Sequence, residues 1–125
     1  MKKIIKTENA PAPIGPYNQA VMVGDTLYTS GQIAINPVTN DLEIEDIKSE
    51  TKLVMENLQA VLVEAGMDFS NVVKCSIFIS DMNNFAQINE VYGTFFTDNY
   101  PARETVQVAC LPKNVNVEIS AIAVK

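Results

Sequence analysis

The segment from Ile47 to Ala65 most constrains the fold, because it has the pattern of one long helix with a single apolar face. Asp46 precedes the segment as a plausible N-cap, and Gly66 follows it as the stop after the last turn. We therefore predict a helix that packs on a sheet and carries no site of its own. Its apolar or neutral positions recur at helical spacing and are Ile47, Thr51, Val54, Met55, Leu58, Val61, Leu62 and Ala65.

A second helical pattern is predicted over residues 82–97, with Asp81 as its cap. Asn89 lies beside the apolar face, so it should have a specific hydrogen-bond partner. Gly93 inside a helix costs about 1 kcal/mol relative to alanine, and we interpret it as a sign of close packing against a strand. The apolar face itself comprises Phe85, Ile88, Tyr92, Phe95 and Phe96.

The other apolar runs have the alternation and the β-branched content of strands. Gly24-Asp25, between the second and third runs, is typical of a type II′ hairpin. The order β-β-β-α-β-α-β-β predicts one α+β domain over residues 1–125, with two helices on one face of a mixed sheet of about six strands. The runs cover residues 4–5, 19–23, 26–30, 72–80, 105–110 and 115–124.

The last run places Glu118 on the face of the sheet away from the helices. One face of this strand is a continuous apolar row, and the other carries Glu118 together with Ile122 and Val124. Such a face is too apolar for free solvent and too polar for a core. We therefore expect a closed homo-oligomer whose sites combine residues from two chains.

Composition argues against several functions. The net charge of −6 and the pI of about 4.5 count against a nucleic-acid-binding surface. The chain has no histidine, which removes the usual nucleophile–histidine pairs and most zinc sites. No clustered ligands predict a metal site, and no glycine-rich loop predicts a phosphate site.

Cysteine usage and the N-terminus predict a cytoplasmic protein. Cys75 and Cys110 both fall in predicted strands, and buried free thiols fit a reducing compartment. The N-terminus lacks the apolar region of a signal peptide, and no apolar run approaches the roughly 20 residues of a membrane span. No membrane partner is predicted.

A few polar residues do not fit an ordinary surface and form the candidate site. Arg103 is the only arginine, and its planar guanidinium binds a carboxylate through two parallel hydrogen bonds. Glu118 can hold or deprotonate a water. Together these groups indicate a site for a small anion, although an ordinary solvated arginine and a plain strand end at Gly31 are the alternatives. The remaining candidates are Tyr17, Ser30, Gly31, Asn89 and Thr105, of which Tyr17 follows a stiff loop with three prolines.

Six motifs occur in order along the chain. They are Ile14-Gly15-Pro16-Tyr17, Ser30-Gly31-Gln32-Ile33, Val91-Tyr92-Gly93-Thr94-Phe95-Phe96, Pro101-Ala102-Arg103, Leu111-Pro112-Lys113 and Glu118-Ile119-Ser120-Ala121-Ile122-Ala123. Together they resemble the RidA (reactive intermediate deaminase A) family, also called the YjgF or perchloric-acid-soluble protein family, over essentially the whole chain.

The resemblance implies a chorismate-mutase-like fold, a homotrimer with a barrel-like core and clefts between subunits, and no cofactor. It also implies hydrolysis of 2-aminoacrylate, 2-iminopropanoate and 2-iminobutanoate to 2-oxo acids and ammonia. Arg103 matches the arginine that binds the substrate carboxylate, and Glu118 matches the glutamate that places the attacking water. Tyr17, Ser30, Gly31 and Asn89 match residues that line the cleft.

The chain departs from the family at three positions near these residues. Thr105 stands where many members have cysteine, so any role there rests on its backbone N–H rather than on a thiol. Ser120 replaces a common second glutamate, and Glu104 replaces a small residue. Alternation along an extended segment predicts that Glu104 points away from Arg103.

Two other functions stay open at this point. One is a non-catalytic regulator that binds 2-oxo acids or other small carboxylates. The other is a ribonuclease or translation inhibitor, a role suggested for some members of the family, against which the acidic charge and the missing histidine count.

Overall fold

The computed structural model describes all residues, 1–125, as eight principal elements in the predicted order. Six strands form one sheet in the order β1-β2-β3-β6-β4-β5. Neighbours in this sheet are antiparallel, except that β4 and β5 run parallel. The elements are β1 (Lys2–Ile5), β2 (Ala20–Val23), β3 (Thr26–Thr29), α1 (Ile47–Glu64), β4 (Val72–Ile79), α2 (Phe85–Gly93), β5 (Ala102–Gln107) and β6 (Val117–Val124).

Helix α1 begins and ends where its capping residues predict. The Asp46 side chain accepts a hydrogen bond from the Ser49 amide at 3.0 Å, which satisfies one free N–H of the first turn. Gly66 has a φ of 73°, the left-handed conformation that ends a helix at low cost in glycine. The predicted stripe of α1 faces the core, with Val54, Met55 and the leucines after them fully buried.

The main core lies between the two helices and one face of the sheet. Leu27 of β3, Ile77 of β4 and Ile119 of β6 are almost completely buried there against the α1 stripe. The alternate residues of the same strands point to the other side of the sheet, which no helix covers; we call this side the open face. The prediction of an α+β domain with a six-stranded mixed sheet and two helices is confirmed.

Helix α2 is shorter than predicted. Residues 82–84 form a separate short helical turn capped by Asp81, and the α-helix ends at Gly93. The Thr94 hydroxyl then donates to the Val91 carbonyl and so competes with continuation of the helix. The expected close packing at Gly93 is wrong, because a Cβ at this position would meet nothing within 4 Å.

Three smaller expectations are corrected by the structure. Strand β5 begins at Ala102, so Arg103 lies inside the strand rather than before it, and β6 begins only at Val117. Cys110 lies beyond β5 and is exposed, while Cys75 is buried as expected. Strand β4 sets the limits of β5, because it pairs in parallel with residues 102–107. The last residue of β4, Ile79, pairs with Gln107, so Cys110 has no partner in β4. No helix combines the length and apolar character needed to cross a bilayer.

Candidate active site

A cavity of about 370 Å³ opens beside the start of β6. Its walls are the three-proline loop, residues 30–35 and the side chain of Glu118. The sequence candidates that meet here are Tyr17, Ser30, Gly31 and Glu118, and we call this group the Glu118 half-site.

Glu118 is half-buried on the open face, and its burial raises the pKa of its carboxyl group. The carboxylate lies directly on Gly31, since a Cβ added there would be 2.6 Å from Glu118 Oε2. Gly31 has no left-handed backbone angle, so it is needed for space rather than for conformation. A raised pKa and a fixed position are what a group needs to hold a water and accept its proton near neutral pH.

The hydroxyl groups of this half-site are engaged in local hydrogen bonds. The Tyr17 hydroxyl accepts from the Ile14 amide at 3.2 Å, which holds the half-exposed ring against its own loop. The Ser30 hydroxyl donates to the Asn18 carbonyl at 2.5 Å. Because its proton is donated to a backbone carbonyl rather than to a base, Ser30 is arranged as a structural group and not as a nucleophile.

Gln19, which the sequence analysis did not single out, fixes the three-proline loop. Its side chain is 2% exposed and accepts from the Thr7 amide at 2.7 Å. Its Nε2 donates to the carbonyls of Thr7, Ala10 and Pro11 at 2.9 to 3.2 Å. Prolines have no backbone N–H, so the carbonyl groups of a proline-rich loop need donors from elsewhere. A glutamine close to such a loop in the sequence is therefore a signal that could have identified Gln19.

Arg103 and Asn89 line a second cavity of about 340 Å³ beside the edge strand β5. Thr105 lies two residues further along the same strand, and we call these three residues the Arg103 half-site. Arg103 Nη1 donates to Asn89 Oδ1 at 2.7 Å, which is the partner predicted for Asn89. The guanidinium stacks over Tyr92 and Phe85, with Cζ at 5.1 and 5.7 Å from the ring centroids. Helix α2 thus holds Arg103 by one hydrogen bond and two cation–π contacts.

Thr105 offers its backbone rather than its side chain. Its hydroxyl is buried and has no hydrogen-bond partner. The Val108 amide donates to Ile79 of β4, and bonds in a parallel ladder alternate, so the Thr105 amide points to the free edge of β5. The unpaired backbone N–H of Thr105 therefore lies on β5, two residues after Arg103.

Removing the orphan hydroxyl should stabilise the protein. Thr105→Val keeps the shape of the side chain and deletes a buried polar group without a partner, so the free energy of unfolding should rise by about 1 kcal/mol in urea titration. Thr105→Ser, which keeps the hydroxyl and loses the methyl group, is the matched control and should be less stable than wild type. A valine variant that lost more than about 1 kcal/mol would show that the hydroxyl has a partner after all.

The two half-sites are on opposite faces of the sheet of one chain. Arg103 pairs with Cys75, which is fully buried beneath α2, whereas Glu118 pairs with Phe78 on the open face. A substrate of three or four carbons cannot span the sheet, so one chain cannot apply both residues to it. Either the two act separately, or the site is completed by a second copy.

Glu104 points away from Arg103, as alternation predicts. Its carboxylate accepts from the Ser76 hydroxyl and pairs with Lys74 Nζ at 2.9 Å, and these contacts lower the pKa of Glu104. It therefore does not compete for the guanidinium.

Among the described residues, no group of three or more acidic or cysteine side chains converges to hold a metal.

Comparison with known proteins identifies the family. The family model described as Endoribonuclease L-PSP matches residues 7–125. The chain belongs to this family. It is 49% identical to a RutC family protein of Pyrococcus horikoshii, over all of this chain and 99% of that protein. It is 46% identical to the mouse 2-iminobutanoate/2-iminopropanoate deaminase, over all of this chain and 93% of that protein.

The solved structures agree with the curated relatives. The crystal structure of Escherichia coli TdcF with bound serine is 47% identical, covers 98% of both chains and superposes with a TM-score of 0.95. The resemblance to the RidA family that the motifs indicated is thereby confirmed, and with it the α+β fold. The mouse relative is thus named as a deaminase of imines, and the TdcF structure contains serine.

Proposed function

We propose that this chain is a cytoplasmic, homotrimeric deaminase that hydrolyses 2-aminoacrylate, 2-iminopropanoate and 2-iminobutanoate to 2-oxo acids and ammonia without a cofactor. The observation that carries the proposal is the division of the site. Arg103, held for a carboxylate, and Glu118, held for a water, lie on opposite faces of one chain. The two residues can act on one substrate when the Arg103 half-site of one copy lies against the Glu118 half-site of the next.

The open face supports an assembly of this kind. Five of its large apolar side chains are more than a third exposed in the single chain, which is unusual for a free surface. A second copy would cover them and bring the two half-sites together, as in a closed cyclic oligomer. The five residues are Ile4, Val23, Tyr28, Val106 and Val124.

The chemistry needs positioning more than activation, because imines already react with water. Arg103 and the free Thr105 amide bind the substrate carboxylate, and the guanidinium is preorganised by Asn89. Water held by Glu118 adds to the imine carbon, and Glu118 takes one proton from it. Glu118 then passes that proton to nitrogen, which gives a carbinolamine. A second transfer through Glu118 moves the hydroxyl proton to the amino group; the C–N bond breaks, and ammonia leaves as the carbonyl of the 2-oxo acid forms.

The direct test is release of ammonia and 2-oxo acid from freshly generated 2-aminoacrylate by protein free of metal and cofactor. Wild type should accelerate release well above the spontaneous rate, and Glu118→Gln should remove most of that acceleration, about 10²- to 10⁴-fold. Binding of 2-oxobutanoate without any acceleration would instead favour the regulator that only binds carboxylates. RNA affinity that falls steeply with salt would favour the ribonuclease.

A further inference from the structure

Besides Thr51, whose hydroxyl donates within the helix to the Ile47 carbonyl, helix α1 carries two buried polar residues beside the stripe that was predicted to serve only the core. Glu50 is 0% exposed and Asn57 is 1% exposed. They lie two turns apart and so point the same way, toward the sheet. Burial of polar groups is costly unless they are hydrogen-bonded, so the contacts of these two residues show what they hold.

Glu50 holds the residue that leads into β6. Its Oε2 accepts from the Asn116 backbone amide at 2.8 Å, and its Oε1 accepts from Asn116 Nδ2 at 2.7 Å. No lysine or arginine pairs with this carboxylate. The Asn116 carbonyl in turn accepts from the Ser80 amide at 3.1 Å, so the start of β6 is fixed from both sides two residues before Glu118.

Asn57 holds the opposite wall of the same cavity. Its Nδ2 donates to the carbonyls of Ile33 and Ile35, both at 3.1 Å, and both isoleucines line the Glu118 half-site. Between the two walls, Gln32 and Ile119 exchange backbone hydrogen bonds of 2.8 and 3.1 Å. The buried polar face of α1 therefore sets the distance between Gly31 and Glu118, which lie next to this pair.

We propose that Glu50 is a positioning residue for catalysis, acting through Asn116 on the placement of the Glu118 carboxylate; this rests on the proposed deaminase function. A carboxylate forms stronger hydrogen bonds with N–H donors than a neutral amide does, and both of its oxygens can accept. A glutamine side chain has one acceptor oxygen, whereas Glu50 uses both carboxylate oxygens to accept the two hydrogen bonds from Asn116. Placement matters because a misalignment of about 1 Å can cost about 100-fold in rate.

The test compares Glu50→Gln with Glu56→Gln, an exposed glutamate on the same helix. E50Q should lower kcat by about tenfold with little change in KM, because substrate binding relies on Arg103 while water placement relies on Glu118. E56Q should behave as wild type. Adding Asn116→Asp to E50Q should restore most of kcat, since the glutamine amide can then donate to the aspartate while its oxygen accepts the backbone N–H.

A second readout separates this proposal from the proposed function. Hydrogen exchange of the Gln32 and Ile119 amides should be faster in E50Q, unchanged in E56Q and recovered in E50Q/N116D, whether or not the protein is a deaminase. If E50Q does not fold, Asn116→Ala should show the same changes to a smaller degree, because it keeps the backbone bond to Glu50 and removes only the side-chain bonds to Glu50 and Ser80. If E50Q folds and the Gln32 and Ile119 amides exchange as in wild type, the proposal is overturned. It is also overturned if E50Q/N116D recovers normal exchange but not kcat.

Discussion

Mixing two inactive variants should restore activity. Arg103→Ala removes the proposed carboxylate-binding group and Glu118→Gln removes the proposed base, so each homogeneous variant should lose at least about 100-fold in kcat/KM. When the two are co-expressed in equal amounts, about a quarter of the interfaces of a cyclic oligomer combine an intact Arg103 with an intact Glu118. The mixed sample should therefore recover close to a quarter of the wild-type specific activity, measured as ammonia release.

The expectation follows from the opposite faces of the sheet on which the two residues lie. The matched control is one chain that carries both substitutions, because it offers no interface with two intact residues and should stay inactive. If the mixed sample is no more active than its components, the site does not combine two copies, and the shared-site model must be abandoned. Mass spectrometry of the intact mixture would verify that mixed oligomers have formed and would count the subunits.

Gly31→Ala should be the most damaging small substitution in the chain. The added methyl group would lie 2.6 Å from Glu118 Oε2, so the carboxylate must leave its position on the glycine. The contacts involve the end of a flexible side chain, so the protein should still fold, with a nearly unchanged melting temperature. Turnover should fall by about 10²- to 10⁴-fold, which is the usual contribution of a well-placed general base.

The pH profile distinguishes displacement of Glu118 from general damage. In the proposed mechanism Glu118 works as a base in its ionised form, so kcat/KM should rise as the pH passes its pKa, which burial raises above the usual value of about 4.3. A displaced and better solvated carboxylate has a lower pKa, so the acidic limb of G31A should move to lower pH. Gly15→Ala is the control, because its Cβ would meet only the Tyr17 ring at an ordinary 3.5 Å. Unchanged turnover in G31A would show that the contact with Gly31 is irrelevant.

Local patterns were sufficient for the elements of the fold. The spacing of apolar residues and the capping groups Asp46 and Gly66 act within a few residues of one another, so they determine α1 almost to the residue. The alternation along β6 likewise determines that Glu118 points away from the helices. Errors occurred where a neighbouring strand set the limit, as at the start of β5, and where a local side-chain hydrogen bond was overlooked, as at Thr94 after the end of α2.

The candidate site was predictable as a set of residues but not as an arrangement. Arg103 and Glu118 were chosen as candidates by their chemistry, yet their relation depends on strand order and register across β4. Gln19 and Glu50 were missed because their partners are separated in sequence by up to 66 residues, and no local pattern connects them. Both are polar residues within or beside an apolar pattern, and such a position predicts a buried side chain with a specific hydrogen-bond partner.

The sequence alone determined the fold class, the helix that covers the sheet and the chemistry of the two key side chains. Periodicity and capping are local properties of the chain, and they were therefore visible without coordinates. The tertiary structure alone decided that Arg103 and Glu118 lie on opposite faces and that Glu118 lies on Gly31. These relations arise when strands distant in sequence pair in one register, because that register is selected by packing of the whole core and not by any single segment.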